Sequence, residues 1–239
     1  MGKFSALGRP LTYRYAAPMQ DTPFPAPTAQ QALPFLWRDT ATHRLMLATL
    51  LATLENALLL TDSATRTLED WSRTHSLAPT PTVRAVRVDT ARAPCPPLLC
   101  EKLELTPQQA STMLRYRHVR LMCGQHVLSH AQNWYRPDRL NASMNTELET
   151  TEIPFGRAVS QLAFTRQLVE AKRLWAPLPH GWEIAPLPTG SGDYLTPPAW
   201  LFRHQAILQR HDSAPFSAVT ETYTADLLRF TPPSLPTHT

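Results

Sequence analysis

Residues 115–137 read RYRHVRLMCGQHVLSHAQNWYRP, and the fold class turns on them. Two runs rich in β-branched and aromatic residues flank Cys123-Gly124-Gln125, which predicts a long β-hairpin. Strand side chains alternate, so Arg117, Val119, Leu121 and Cys123 share one face while His118 and Arg120 lie on the other. Working outward toward the C-terminus, residues 140–148 predict a helix with Asn141 near its start. Two further strands follow over 200–208 and 216–223, joined by the turn residues His211, Asp212 and Ser213. On the N-terminal side, Thr106 and Pro107 suit the N-cap and first turn of a short helix, PQQASTML. Residues 83–88 and 98–105 alternate weakly and are expected as strands. Leu47, Leu51, Leu54 and Leu58 mark one stripe of a helix over about 39–60, and Asp62 or Ser63 caps a second over 65–75 that turns Leu68 and Trp71 inward. Helices and antiparallel strands in separate runs give an α+β fold with one mostly antiparallel sheet.

The chain has 239 residues, enough for one large domain or two small ones, and 43% apolar content excludes disorder as the whole story. Its formal charge of +4, from 23 Lys+Arg and 19 Asp+Glu, is too small and scattered to imply nucleic acid. Three cysteines, Cys95, Cys100 and Cys123, argue against a disulfide scaffold and suit a reducing compartment. The start, MGKFSALGRPLTYRYAAP, lacks the apolar stretch of a signal peptide, so the expected location is cytoplasmic. The longest apolar run, 45–60, is broken by Glu55 and Asn56 and falls short of the roughly 20 residues that span a bilayer, so no membrane role is expected. Proline is the anomaly: 24 Pro against 7 Gly. The ring removes a donor and fixes φ, so its clusters mark where helices and inner strands stop. They predict an extended arm over 1–34, a single domain over 35–230 and a disordered tail over 231–239, with the loop 177–198 as a candidate lid.

Several residues invite chemical readings. Arg117 opens an apolar face, where a buried guanidinium needs an anion or several carbonyls and a carboxylate is its best match; the residues alone favour an edge arginine snorkelling to water or pairing with a structural acid. Glu221 sits in VTETYT, where a carboxylate is out of keeping with its neighbours. An acid enclosed in a sheet tends toward a raised pKa, as general-acid work requires, though the residues alone also allow a solvent-facing position or a partner for Arg117 or Arg203. Glu147, Glu149 and Glu152 read as a solvated helix face. His126 and His130 lie about 13 Å apart along a strand, too far for one metal ion. Ser129 has no nucleophile elbow, and Trp134-Tyr135 reads as core or pocket wall. No metal site is expected.

The segment from about 115 to 228 resembles the chorismate lyase-like superfamily, which includes chorismate pyruvate-lyase and the ligand-sensing UTRA domains of transcription regulators. The residues that carry the likeness are Arg117-His118-Val119-Arg120-Leu121-Met122-Cys123-Gly124, similar to a strand Arg-x-Val/Ile-x-Leu running into a Cys-containing turn with one extra residue; Ile153-Pro154-Phe155-Gly156-Arg157, similar to Thr-Pro-Leu-Gly-Arg; and Val219-Thr220-Glu221, similar to a closing Leu-Thr-Glu strand. DSATRTLEDW, SHAQNWYRPDRL, PFGRAV and PFSAVTETYT also resemble a bacterial subgroup of that superfamily. The resemblance implies an antiparallel sheet with helices packed on one side around an internal ligand pocket. It implies a lyase that eliminates pyruvate from chorismate to leave 4-hydroxybenzoate without cofactor or metal. Glu221 would be the catalytic acid/base and Arg117 the carboxylate grip. Asn133 stands where the lyases have a second arginine, and Arg136, Arg157 or Arg203 are the cations available to compensate, with Gly156 beside them. The other reading carried from the family is a non-catalytic pocket for a small aromatic carboxylate. A third, from a different class, is an interaction protein whose Pro-rich arm docks a partner or second copy. The expected assembly is a monomer or homodimer.

Overall fold

The computed structural model describes residues 34–234. The arm expected over 1–34 lies outside the described residues except for Pro34, as does the end of the tail beyond 234. Twelve elements follow in order: α1 (Ala41–Leu59), α2 (Ala64–Thr74), β1 (Val83–Arg87), α3 (Pro97–Lys102), α4 (Pro107–Met113), β2 (Arg115–Cys123), β3 (His126–Tyr135), α5 (Ala142–Thr150), α6 (Phe155–Ala158), β4 (Thr165–Arg173), β5 (Trp200–Gln209) and β6 (Pro215–Thr224). The strands form one antiparallel sheet in the order β1-β2-β3-β6-β5-β4, so the architecture is α+β as the sequence predicts.

Local chemistry explains most boundaries. Thr40 accepts a hydrogen bond from His43 N at 3.3 Å and starts α1; Ser63 accepts from Arg66 N and starts α2. Thr106 and Gln109 make a reciprocal capping box on α4, with Pro107 in the first turn where its missing N–H is harmless. Gly124 takes φ +57° in the turn between β2 and β3, where a Cβ would meet the Ala78 side chain at 3.0 Å. Leu128 is an extra residue opposite Leu121/Met122, a bulge near the hairpin turn.

Residues paired across an antiparallel ladder point to the same face, which sorts the side chains. On the first face, Val119, Leu121, Ala131 and Tyr223 join Leu47, Leu51, Leu54 and Leu58 of α1 and Leu68 and Trp71 of α2 in the main core. Each fully buried leucine contributes about 1.5–3 kcal/mol. Trp37 Nε1 and Trp71 Nε1 donate to the Leu228 and Leu227 carbonyls at 2.9 and 3.0 Å, tying this layer to the end of the chain. At the other end of the same face, α5 and α6 pack Leu148, Phe155 and Val159 against Tyr135 and Leu208. The short pair α3 and α4 rests on the second face, against Trp134, Ile207 and Ala218.

Two elements depart from expectation. Residues 98–105 were expected as a strand and instead begin as α3, because Pro96 and Pro97 occupy the N-cap and first turn and Leu99, Cys100 and Leu103 bury one side at helical spacing. β4 was not foreseen: it is an edge strand, exposed or half-exposed along its length, so it shows no alternation to read. The loop expected as a lid is pinned to the segment before α1. Gly192 N donates to Asp39 O at 2.9 Å, Leu195 N to Trp37 O at 2.7 Å, and Arg38 bridges Tyr194.

Candidate functional site

The first face carries a buried polar group among its apolar neighbours. Glu221 on β6 pairs in register with Ala131 and His204 and is 6% exposed. Its Oε2 lies 2.7 Å from Arg166 Nη2 on β4, with side chains 8% and 4% exposed, and accepts from Tyr223 OH at 3.1 Å. Arg166 also donates to the Leu58 carbonyl at 3.3 Å and, through its backbone N–H, to Asp62 Oδ1 at 3.1 Å. Burial opposes the Arg166 charge, but Glu221 and then Tyr223 hold its pKa above the ordinary value. Burial, with Glu221 beside it, pushes the Tyr223 hydroxyl well up. His204 is fully buried with neither ring nitrogen hydrogen-bonded among the described residues, and burial together with Arg166 lowers its pKa to about 4. Neutral histidine is therefore the resting form next to the ion pair.

Glu221, Arg166 and Asn133 line a half-open cavity of ≈ 50 Å³ whose apolar wall includes Phe155, Phe164 and Val219, with the first turn of α2 at its edge. An engineered cavity of about 150 Å³ takes benzene, so this space holds a few waters or a small head group rather than an aromatic ring. Arg117 stands beside it. Its register partner is Asn133, and its Nη2 donates at 2.8 Å to the carbonyl of Ile153, the neighbour of the lining residue Pro154. Arg117 is 3% exposed, and its Nε and Nη1 have no hydrogen-bond partner among the described residues. Burial, and then Arg87 nearby, lower its pKa to about 10 despite a favourable Tyr135. Arg87 likewise donates to a main-chain carbonyl, Leu148 O, at 2.6 Å. A guanidinium buried with two donors unmet is costly, and an anion is what relieves it.

The structure thus gathers Glu221, Asn133 and Gly156 in one cavity wall with Arg117 adjoining, and leaves the other expected cations elsewhere. Arg157 turns to Glu69 of α2, donating to both carboxylate oxygens at 2.8 Å. Arg203 pairs in register with Thr222, not Glu221, so its side chain projects from the second face, where it meets Glu170 at 3.0 Å. Arg136 closes on Asp138 at 2.6 Å. Arg166, His204 and Tyr223 were missed by sequence reasoning. Arg166 lies on the strand that no alternation revealed, and only the sheet's pairing brings it to Glu221. No residue of 177–198 lines this cavity. Among the described residues there is no cluster of three or more metal-ligating side chains, and no helix is long and apolar enough to cross a membrane.

No family model matches the chain. It is similar to the protein named Uncharacterized protein y4mC from Sinorhizobium fredii (strain NBRC 101917 / NGR234), at 44% identity over 201 residues, 83% of this chain and 84% of that one. Among solved structures, it is similar to the effector domain of PhnF from Mycobacterium smegmatis, with TM-score 0.41 and 13% identity over 69% of this chain and 90% of that one. It is similar also to the ligand-binding domain of a putative GntR-family transcriptional regulator from Bordetella bronchiseptica, with TM-score 0.37 and 17% identity over 60% and 83%. A third, the possible transcriptional regulator YydK from Bacillus subtilis, gives TM-score 0.37 and 14% identity over 64% of this chain, and the chain spans only 62% of that regulator's length.

Proposed function

This chain belongs to the family of the Sinorhizobium fredii protein y4mC, and from that premise we propose that it is a small-molecule binding domain for a carboxylate, aromatic in the fullest form of the proposal, rather than a lyase. The carrying observation is Arg117, 3% exposed with two donors unmet beside a cavity on the first face. The ligand's carboxylate takes those donors and the Asn133 amide, as bidentate guanidinium geometry favours. Its apolar remainder lies against Phe155, Phe164 and Val219, whose displacement makes the room that an aromatic ring needs. Support for a lyase is weak: the Glu221 carboxylate meets Arg166 and Tyr223, so it already has a structural partner within the chain.

Purified protein incubated with chorismate, followed by chromatography for 4-hydroxybenzoate and pyruvate, tests this. The expected result is unchanged chorismate, alongside a thermal upshift with at least one member of a panel of benzoate, 4-hydroxybenzoate, chorismate and pyruvate. Product formation abolished by Glu221→Gln returns the chain to the lyases.

A further inference from the structure

Away from that cavity, two of the three cysteines meet on the second face. Cys95 lies in the segment between β1 and α3, and Cys100 lies in the last turn of α3. Pro96 and Pro97 fix the backbone between them and turn the chain into the helix, so that Cys100 N donates to Pro96 O at 2.9 Å and Cys100 Sγ donates to Cys95 O at 3.4 Å. Both line a cavity of ≈ 330 Å³ with Arg92, Pro107 and Trp134, and Cys95 is partly open to solvent while Cys100 is buried. Cys123 is on the other face, fully buried in the main core with its Sγ near the Thr80 carbonyl, and takes no part.

We propose that Cys95 and Cys100 form a dithiol–disulfide couple, oxidised by a peroxide that reaches them through this cavity. The sulfur of Cys95 attacks one peroxide oxygen; the O–O bond breaks, water leaves and Cys95 carries a sulfenic acid. The sulfur of Cys100 then attacks that sulfur, the S–O bond breaks and a second water leaves. Two thiols give up two electrons and two protons, and one hydrogen peroxide becomes two waters. Burial, and then Cys100, push the Cys95 thiol up, so only a small thiolate fraction attacks and the oxidation is slow, requiring excess peroxide. The bond ties the segment crossing the second face to α3 at a point two residues from Ala93, whose carbonyl accepts from Trp134 Nε1 at 2.9 Å. The couple is independent of carboxylate binding.

Trypsin provides the test, because cleavage after Arg92 and Lys102 leaves both cysteines in the single peptide 93–102. The full chain is reduced, desalted, treated with hydrogen peroxide, then alkylated with iodoacetamide in guanidinium chloride and digested. The expected peptide carries no alkyl group, weighs two hydrogens less than the dithiol and regains two alkyl groups after dithiothreitol, while Cys123 stays fully alkylated. In Cys100→Ser the peptide instead gains oxygen at Cys95. Two alkyl groups on 93–102 after peroxide that oxidises free glutathione in the same tube overturn the proposal. So does a sulfinic acid at Cys95 beside an alkylated Cys100 in the unsubstituted protein.

Discussion

Glu221→Gln isolates the ion pair at the centre of the first face. The substitution keeps shape and leaves an oxygen for Tyr223 OH, but removes the charge that Arg166 faces at 2.7 Å. At an effective dielectric of about 20, the Coulomb attraction at that distance is about 6 kcal/mol. Part of it only offsets the desolvation of the two groups, whose side chains are 4% and 8% exposed. Desolvation of Arg166 persists in the variant, so the expected loss is about 3–5 kcal/mol, the range for breaking a buried pair from one side. For a chain of this size that is a fall in melting temperature of about 6–20 °C. Replacing both partners, Glu221→Leu with Arg166→Met, removes both desolvation penalties and is expected to leave stability within about 2 kcal/mol of the parent or above it. Urea unfolding followed by circular dichroism reads both, with an unchanged slope confirming that stability rather than compactness moved. A single variant within about 0.5 kcal/mol of the parent, or a double variant as unstable as the single, refutes the pair as described.

Further outcomes follow from other groups. His118, His130 and His204 are buried, and burial first, then Arg120, His118 and Arg166 respectively, brings each pKa to about 4 from 6.5. The unfolded chain therefore binds protons between those values that the fold refuses, so stability is complete above pH 6.5 and is lost on acidification, by up to about 4 kcal/mol for the three between about pH 7.5 and 5.5. Equal urea midpoints at those two pH values contradict this. Gly190→Ala drives a Cβ into the Asp39 carbonyl, and is expected to cost about 1–3 kcal/mol and to open the 177–198 loop to chymotrypsin at Trp182 and Tyr194; unchanged protease resistance means the loop is not held there.

How far the sequence reveals this molecule depends on how each element is buried. The leucine stripe of α1 and the capped α2 are legible because one side is buried and the other solvated, which leaves a periodic trace, while the β2–β3 hairpin, buried along almost all of β3, is legible from its β-branched and aromatic residues around Gly124. The face of Arg117 is legible from the alternation in β2, whereas β6 is buried at every residue and its sequence leaves the side of Glu221 open. α3 was misread because LLCEKLEL contains both weak alternation and the helical spacing of Leu99 and Leu103, and Pro96-Pro97 decides between them. β4 leaves no trace, since an edge strand has little to bury, yet it delivers Arg166. That pairing spans 55 residues and depends on β4 lying two strands from β6, which no local pattern encodes. Arg203 follows the same logic in reverse: one residue of register in β5 places it on the opposite face from Glu221.

The central claim, that the unmet donors of Arg117 receive a ligand carboxylate, is tested most directly by isothermal titration of benzoate into the parent chain, Arg117→Met and Arg203→Gln. The account predicts saturable binding to the parent, weakened about 10- to 150-fold in Arg117→Met, as losing a charge-assisted hydrogen bond of about 1.5–3 kcal/mol requires, and unchanged in Arg203→Gln. Equal affinity in Arg117→Met, or a loss confined to Arg203→Gln, contradicts it.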